Sequence, residues 1–186
     1  MNSRQMDSYG DSLIFRPTTL VDIPFVIDAE RHPDNAPYVG QWNEARHRSA
    51  IASEDEAHLT LEVDRAANRE EKPSFLGYLI LMGLSDEHSV LNLRRIVIMQ
   101  KGRGYGRQAL RWVKTYAFET IGVHRLWFDV ISSNERAKAL YLSEGFTIEG
   151  TMRESWKTPC GYEDMLLLSM LKPEYELACE QEQTAI

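Results

Sequence analysis

Apolar and polar positions change period several times along the 186 residues, and each change marks an element. "SLIFRPTT" predicts a first strand that closes at Pro17. "LVDIPFVIDAERHP" has helical spacing, tolerates Pro24 in its first turn and must stop before Pro33. After the loop "DNAPYVGQW", the stretch "NEARHRSAIAS" predicts a second helix with Asn43 as its cap. "AHLTLEV" and "PSFLGYLILMGL" read as a hairpin of strands joined by the charged turn "DRAANREEK", and "HSVLNLRRIVIM" as a fourth strand. A third helix carries Leu110, Val113, Ala117 and Ile121 on one stripe and ends at Gly122. "RLWFDVIS" is a fifth strand, and "SNERAKALYLSEG" a short helix capped by Ser133 or Asn134 and ended by Gly145. "FTIEGTMRESW" and "YEDMLLLSML" form an antiparallel pair about "KTPCG".

This order implies an α/β protein with a mixed sheet. Its first half is antiparallel, and a β-α-β crossover then sets the fourth and fifth strands parallel. The expected organisation is one domain over residues 12–173, a tail at 1–11, and a second, partly ordered tail at 174–186 after Pro173 ends the fold.

Composition narrows the setting. Hydrophobic residues make up 43% and charged residues 26%, and no apolar run reaches the roughly 18 residues of a membrane span. The start, "MNSRQMDSYGDS", lacks the apolar core of a secretory signal, so a cytoplasmic protein is expected, with Cys160 and Cys179 as reduced thiols. Two cysteines and five histidines without close ligand spacing predict no metal.

The net charge of −7 is unevenly spread. Between Arg94 and Lys138 ten Lys/Arg stand against Glu119, Asp129 and Glu135, so this block carries +7 and the remainder −14. Such a division suits a basic site for an anionic ligand beside an acidic surface, and equally a set of solvated faces. Nucleic acid is disfavoured as a partner by the acidic total.

"KGRGYG", Lys101 to Gly106, stands where the fourth strand passes into the third helix. Alternate glycines permit backbone conformations closed to other residues and leave amides uncovered, and a helix N-terminus behind them favours an anion. The spacing is neither a Walker A loop nor the dinucleotide fingerprint. By itself it fits a phosphate nest or a plain structural turn. Downstream, Asn134 and Tyr141 share a helix face, and Tyr141 leans toward Asn134. In a parallel strand pair both helices begin at the same sheet edge, so tyrosine and glycines face one crevice.

From "LRRIVIM" through "KGRGYG" to "NERAKALYLSEGF" the chain resembles the Gcn5-related N-acetyltransferase (GNAT) superfamily, whose acetyl-CoA signature is met at Lys101-Gly102-Arg103-Gly104-Tyr105-Gly106 with lysine in first place. With "VGQW" near Trp42, the wording is most similar to the branch of ribosomal-protein and spermidine N-acetyltransferases, and the likeness spans about residues 12–172. It implies transfer of acetyl from acetyl-CoA to a primary amine, on a polyamine or a peptide amino terminus, by direct attack on the thioester. The alternative is a non-catalytic acyl-CoA-binding regulatory module on the same fold. The resemblance leaves room for a homodimer.

The same resemblance assigns roles. Tyr141 would protonate the departing thiolate. Asp129 would be the base, at the position where ribosomal-protein acetyltransferases carry a glutamate; it could equally be a buried partner of Arg94 or Arg95. Ile96, Val97 and Ile98 would present backbone to the pantetheine arm and an amide to the oxyanion. Amides of residues 101–107 would hold phosphate, Asn134 would bind the CoA arm through its amide, and Arg103, Arg107 and Lys138 would add positive charge. On the acceptor side stand Glu30, Asp34 and Trp42, with Asp28 nearby, and Glu30, Asp34 and His124 are further candidates for the base. The acidic remainder of the chain predicts a cationic acceptor.

Overall fold

The computed structural model describes residues 3–6, 12–64 and 74–184. Eight strands form one sheet: β1 (Ser3–Met6), β2 (Ser12–Pro17), β3 (Glu56–Asp64), β4 (Ser74–Met82), β5 (Val90–Ile98), β6 (Arg125–Ile131), β7 (Thr147–Thr158) and β8 (Gly161–Leu171). Their spatial order is β1-β2-β3-β4-β5-β6-β8-β7. All neighbours are antiparallel except β5 and β6, the predicted fourth and fifth strands. The last hairpin folds back so that β8, the more apolar strand, lies inside against β6, and the polar β7 takes the edge.

The helices are α1 (Ile23–Arg31), α2 (Glu44–Ala52), α3 (Tyr105–Thr115), α4 (Glu135–Ser143) and α5 (Lys172–Thr184). Asn43 caps α2 by accepting from the Arg46 amide at 2.9 Å, and Asn134 caps α4 by accepting from the Ala137 amide at 3.2 Å. The stripe of α3 is buried at Leu110, Val113 and Ala117, and the chain continues as a π-helical turn, Tyr116–Ile121, before Gly122 ends it in the left-handed conformation.

Two layers cover the sheet. One face packs Leu79, Leu81, Leu91, Leu126, Phe128 and Leu168 against α3, Tyr141 and Phe146. The other packs Tyr78, Ile80 and Val97 against Val26 and Ala29 of α1. β4 reads as a nearly continuous apolar run because both its faces are covered.

Two expectations differ. Residues 3–6, placed in a tail, pair with β2 as an edge strand. Pro173 does not end the fold; it stands in the first turn of α5, where a missing N–H costs nothing, and Tyr175 of that helix stacks on Phe118 at 4.8 Å. Of the predicted hairpin turn at 64–72, Asp64 ends β3 and the remainder lies outside the described residues.

Candidate active site

At the start of α3 two of the three alternate glycines take a backbone conformation that other residues rarely adopt, and Gly106 does not. Gly102 and Gly104 have φ of +80° and +78°, in the left-handed region. Gly104 is the N-cap of α3, and its carbonyl accepts from the amides of Arg107 at 3.0 Å and Gln108 at 3.1 Å. A Cβ on either glycine would meet no protein atom within 4 Å, so the space beside the turn is open. The dipole of α3 adds partial positive charge at this turn. The cradle fits a diphosphate group.

Beside this turn the parallel strands part. β5 and β6 are paired only from Val90–Asn92 to Arg125–Trp127, where Asn92 Nδ2 donates to the Trp127 carbonyl at 3.2 Å. The cause lies one step further. On the β4 side Ile80 pairs with Arg95 and Leu81 with Leu93, which leaves Arg94 as an extra residue in a β-bulge. Beyond it a cavity of about 1260 Å³ opens, with Ile96, Val97 and Ile98 on one wall and Phe128, Asp129 and Val130 on the other.

Tyr141, Asp129 and Asn134 all line this cavity. Tyr141 is buried, with its ring 4.4 Å from that of Phe128, and burial together with the Asp129 charge pushes its hydroxyl up to about 12. Asp129 is half-buried; desolvation raises its carboxyl above the usual range, and Arg94, 4.0 Å away, opposes that rise. Asn134 spends its carbonyl oxygen on capping α4. Its NH2 group remains for the cavity.

The cationic side chains sort differently from expectation. Lys101 lines the cavity and donates to Asn35 Oδ1 at 2.5 Å. Arg107 lines it too, but its guanidinium is held by Glu144 and by Ser143 Oγ at 3.1 Å. Arg103 and Lys138 lie off the lining, and Lys138 pairs with Glu135 at 2.6 Å. Arg136, two residues past the α4 cap, lines the cavity exposed. No local motif singles it out, although the first turn of a helix opening on the crevice is where such a cation belongs.

The acceptor side is also rearranged. Asp34 lines the cavity with Tyr38, Val39 and Gly40, facing Met152, Ser155 and Trp156 of β7. Glu30 does not: it is fully buried. Its carboxylate accepts from Tyr78 Oη at 2.6 Å, from the Trp42 amide at 2.9 Å and from the Arg95 guanidinium, and the neighbouring His47 ring together with these partners holds it below the ordinary carboxylate range against the cost of burial. His47 Nε2 stands 3.3 Å away without hydrogen-bond alignment, and its Nδ1 meets His58 Nε2 at 3.1 Å. Trp42 is off the lining as well, sandwiched between the guanidinium groups of Arg46 at 4.0 Å and Arg95 at 4.1 Å. Glu30 and Trp42 thus build the wall behind Arg95. Asp28 is exposed away from the cavity, and His124 is exposed in the turn before β6. Tertiary pairing, which local pattern does not reveal, decides each of these placements.

A family model described as "Acetyltransferase (GNAT) domain" matches residues 12–147. The chain belongs to this acetyltransferase family. The ribosomal protein bS18 alanine N-acetyltransferase of Salmonella typhimurium is 30% identical over 132 residues, 69% of this chain and 80% of that relative. The spermidine N(1)-acetyltransferase of Escherichia coli strain K12 is 20% identical over 167 residues, 88% of each chain. Among solved structures, the spermidine N-acetyltransferase of Vibrio cholerae in complex with CoA and spermine superposes with a TM-score of 0.76 at 19% identity, covering 88% of this chain and 97% of that one. The sheet with its single parallel pair is the fold of that enzyme. The chain is an acetyl-CoA-dependent N-acetyltransferase.

Proposed function

We propose that this acetyltransferase acts on a primary amine of one of the two kinds named for its relatives, a polyamine or the α-amino group of a protein, by direct attack on the thioester held in the splay of β5 and β6. The observation that carries this reading is the meeting of Asp129 and Tyr141 across one cavity from the left-handed glycine turn.

An alkyl ammonium with a pKa of about 10.4 is almost wholly protonated at neutral pH, so its proton must be removed before attack. Asp129 has the accessible oxygen and the raised affinity for a proton that a base needs. The nitrogen then bonds to the carbonyl carbon and sheds its second proton to solvent, the C–S bond breaks, and sulfur leaves with the electron pair. A backbone amide near Val97 or Ile98 faces the transient oxyanion. Tyr141, near 12, lies about 3.5 units above an ordinary thiol, so full transfer of its proton would cost about 5 kcal/mol. Its O–H therefore donates a hydrogen bond to the thiolate, and solvent supplies the proton.

Thiol release from acetyl-CoA with a panel of polyamines, amino acids and peptide amino termini tests this chemistry. Amine-dependent release, lowered about tenfold to a hundredfold by Tyr141→Phe with acetyl-CoA affinity kept, is expected. Acetyl-CoA binding without release by any amine would favour the non-catalytic module.

A further inference from the structure

The cavity's acceptor end is not the acidic site that a polycation would want. Among the described residues the acids of the lining are Asp129, Asp34 in the loop after α1, and Glu135 at the start of α4, where it is paired with Lys138, while Arg94 and Arg95 enter from β5. The two arginines differ. Arg95 is buried, paired with Glu30 and stacked on Trp42, so its capacity is spent. Arg94 has a side chain 42% exposed, and its one ionic contact among the described residues is Asp129 at 4.0 Å, a distance at which the pair attract without a formed hydrogen bond. The bulge takes Arg94 out of the ladder and leaves it at the mouth of the splay. A guanidinium there, with its donors free, is a fork for a carboxylate.

We propose that Arg94 is a specificity-determining residue, which selects acceptors bearing a carboxylate close to the reacting amine. The proposal rests on the transferase reading above. An amine within hydrogen-bond reach of Asp129, about 3 Å, lies within about 4–7 Å of the Arg94 guanidinium. That span fits a carboxylate on the carbon that carries the amine, or one to two carbons beyond. Two sources share this chemistry: a free α-amino acid and a peptide whose first residue is acidic. Tyr38, Met152 and Trp156 supply aromatic and apolar walls for the rest of such a molecule. A polyamine would bring a second ammonium toward Arg94 and be repelled.

The test compares matched acceptors at saturating acetyl-CoA: a free amino acid and its amide, a peptide beginning with glutamate and the same peptide beginning with glutamine, and spermidine. For the native chain kcat/KM is expected to favour the carboxylate of at least one pair by tenfold or more over its amide, and over spermidine; the pair that shows it names the source. In Arg94→Met that ratio falls toward one, and Arg94→Lys restores part of it, because a point charge keeps the attraction without the fork. A loss through misfolding alone would lower both members of a pair alike and leave the ratio standing. Equal use of carboxylate and amide, preference for spermidine, or an unchanged ratio in Arg94→Met overturns the proposal. Absence of thiol release with every amine overturns the transferase reading itself, a distinct result.

Discussion

Lys101 Nζ donates to Asn35 Oδ1 at 2.5 Å, so the first residue of the glycine turn is joined to the loop that walls the acceptor side. Asn35 is itself buried and fixed by donation to the Ala29 carbonyl at 2.8 Å, which ties the contact back to α1. Burial holds the Lys101 ammonium below its ordinary pKa, so the link is made by a partly desolvated charge. Lys101→Met is expected to raise KM severalfold for the amine as well as for acetyl-CoA. Steady-state kinetics with each substrate varied in turn checks it; a change confined to acetyl-CoA would reduce Lys101 to a phosphate contact.

Gly104→Val should weaken acetyl-CoA binding by well over tenfold, since a branched side chain fills the open cradle and strains a φ of +78°. Gly122 offers a matched control. It has a φ of +80° with equally open space, and it stands at the far end of the third helix, off the cavity. Gly122→Val should cost comparable stability, about 1–2 kcal/mol, with no change in acetyl-CoA affinity by calorimetry.

Asp129→Asn tests the base through pH. Because desolvation raises the Asp129 carboxyl, the native rate should fall as pH drops through a value above the usual carboxylate range, where the base becomes protonated. The variant should be slowest relative to the native chain near neutrality, and the deficit should shrink as pH climbs toward the pKa of the amine. A deficit of equal size at every pH would mark Asp129 as structural.

Glu144 clamps the two helices that open on the cavity. Its carboxylate, nearly fully buried, receives Arg107 and Arg111 and also Lys114 Nζ at 3.0 Å, all from the third helix. Arg111 and Lys114 lead the partners that hold it below the ordinary carboxylate range despite burial. A folded-state value below the unfolded one gives stability that is present above the ordinary carboxylate pKa and lost as pH falls through the depressed value. Glu144→Gln should therefore cost about 2 kcal/mol at neutral pH, with the gap to the native chain closing in acid. Urea unfolding at a series of pH values measures this.

Much of this architecture is legible in the chain because its signals are local. The caps at Asn43 and Asn134, the break at Gly122 and the spacing of Asn134 from Tyr141 depend on neighbours within a few residues, and they fall where the pattern puts them. Ser3–Met6 has no apolar run to announce a strand and is held by pairing with β2. Pro173 is compatible with a stop or a start, and the contacts of the helix behind it, the stacking of Tyr175 on Phe118 and the donation of its hydroxyl to Glu119, decide it. Glu30 illustrates the deeper limit. An acidic residue at the end of a helix looks like surface until Arg95, 65 positions away, is brought against it.

The bulge at Arg94 is a single excess residue, and without it Arg95 would follow Leu93 in regular alternation, Leu93 toward the core and Arg95 toward α1. The sheet therefore holds a more regular and better paired alternative one deletion away, in which β5 could continue along β6 and zip the opening shut. A chain selected for thermal endurance alone would drift toward that excision. Retaining the misfit keeps a pair of strands unzipped, and the gap so preserved is the one that Asp129 and Tyr141 line.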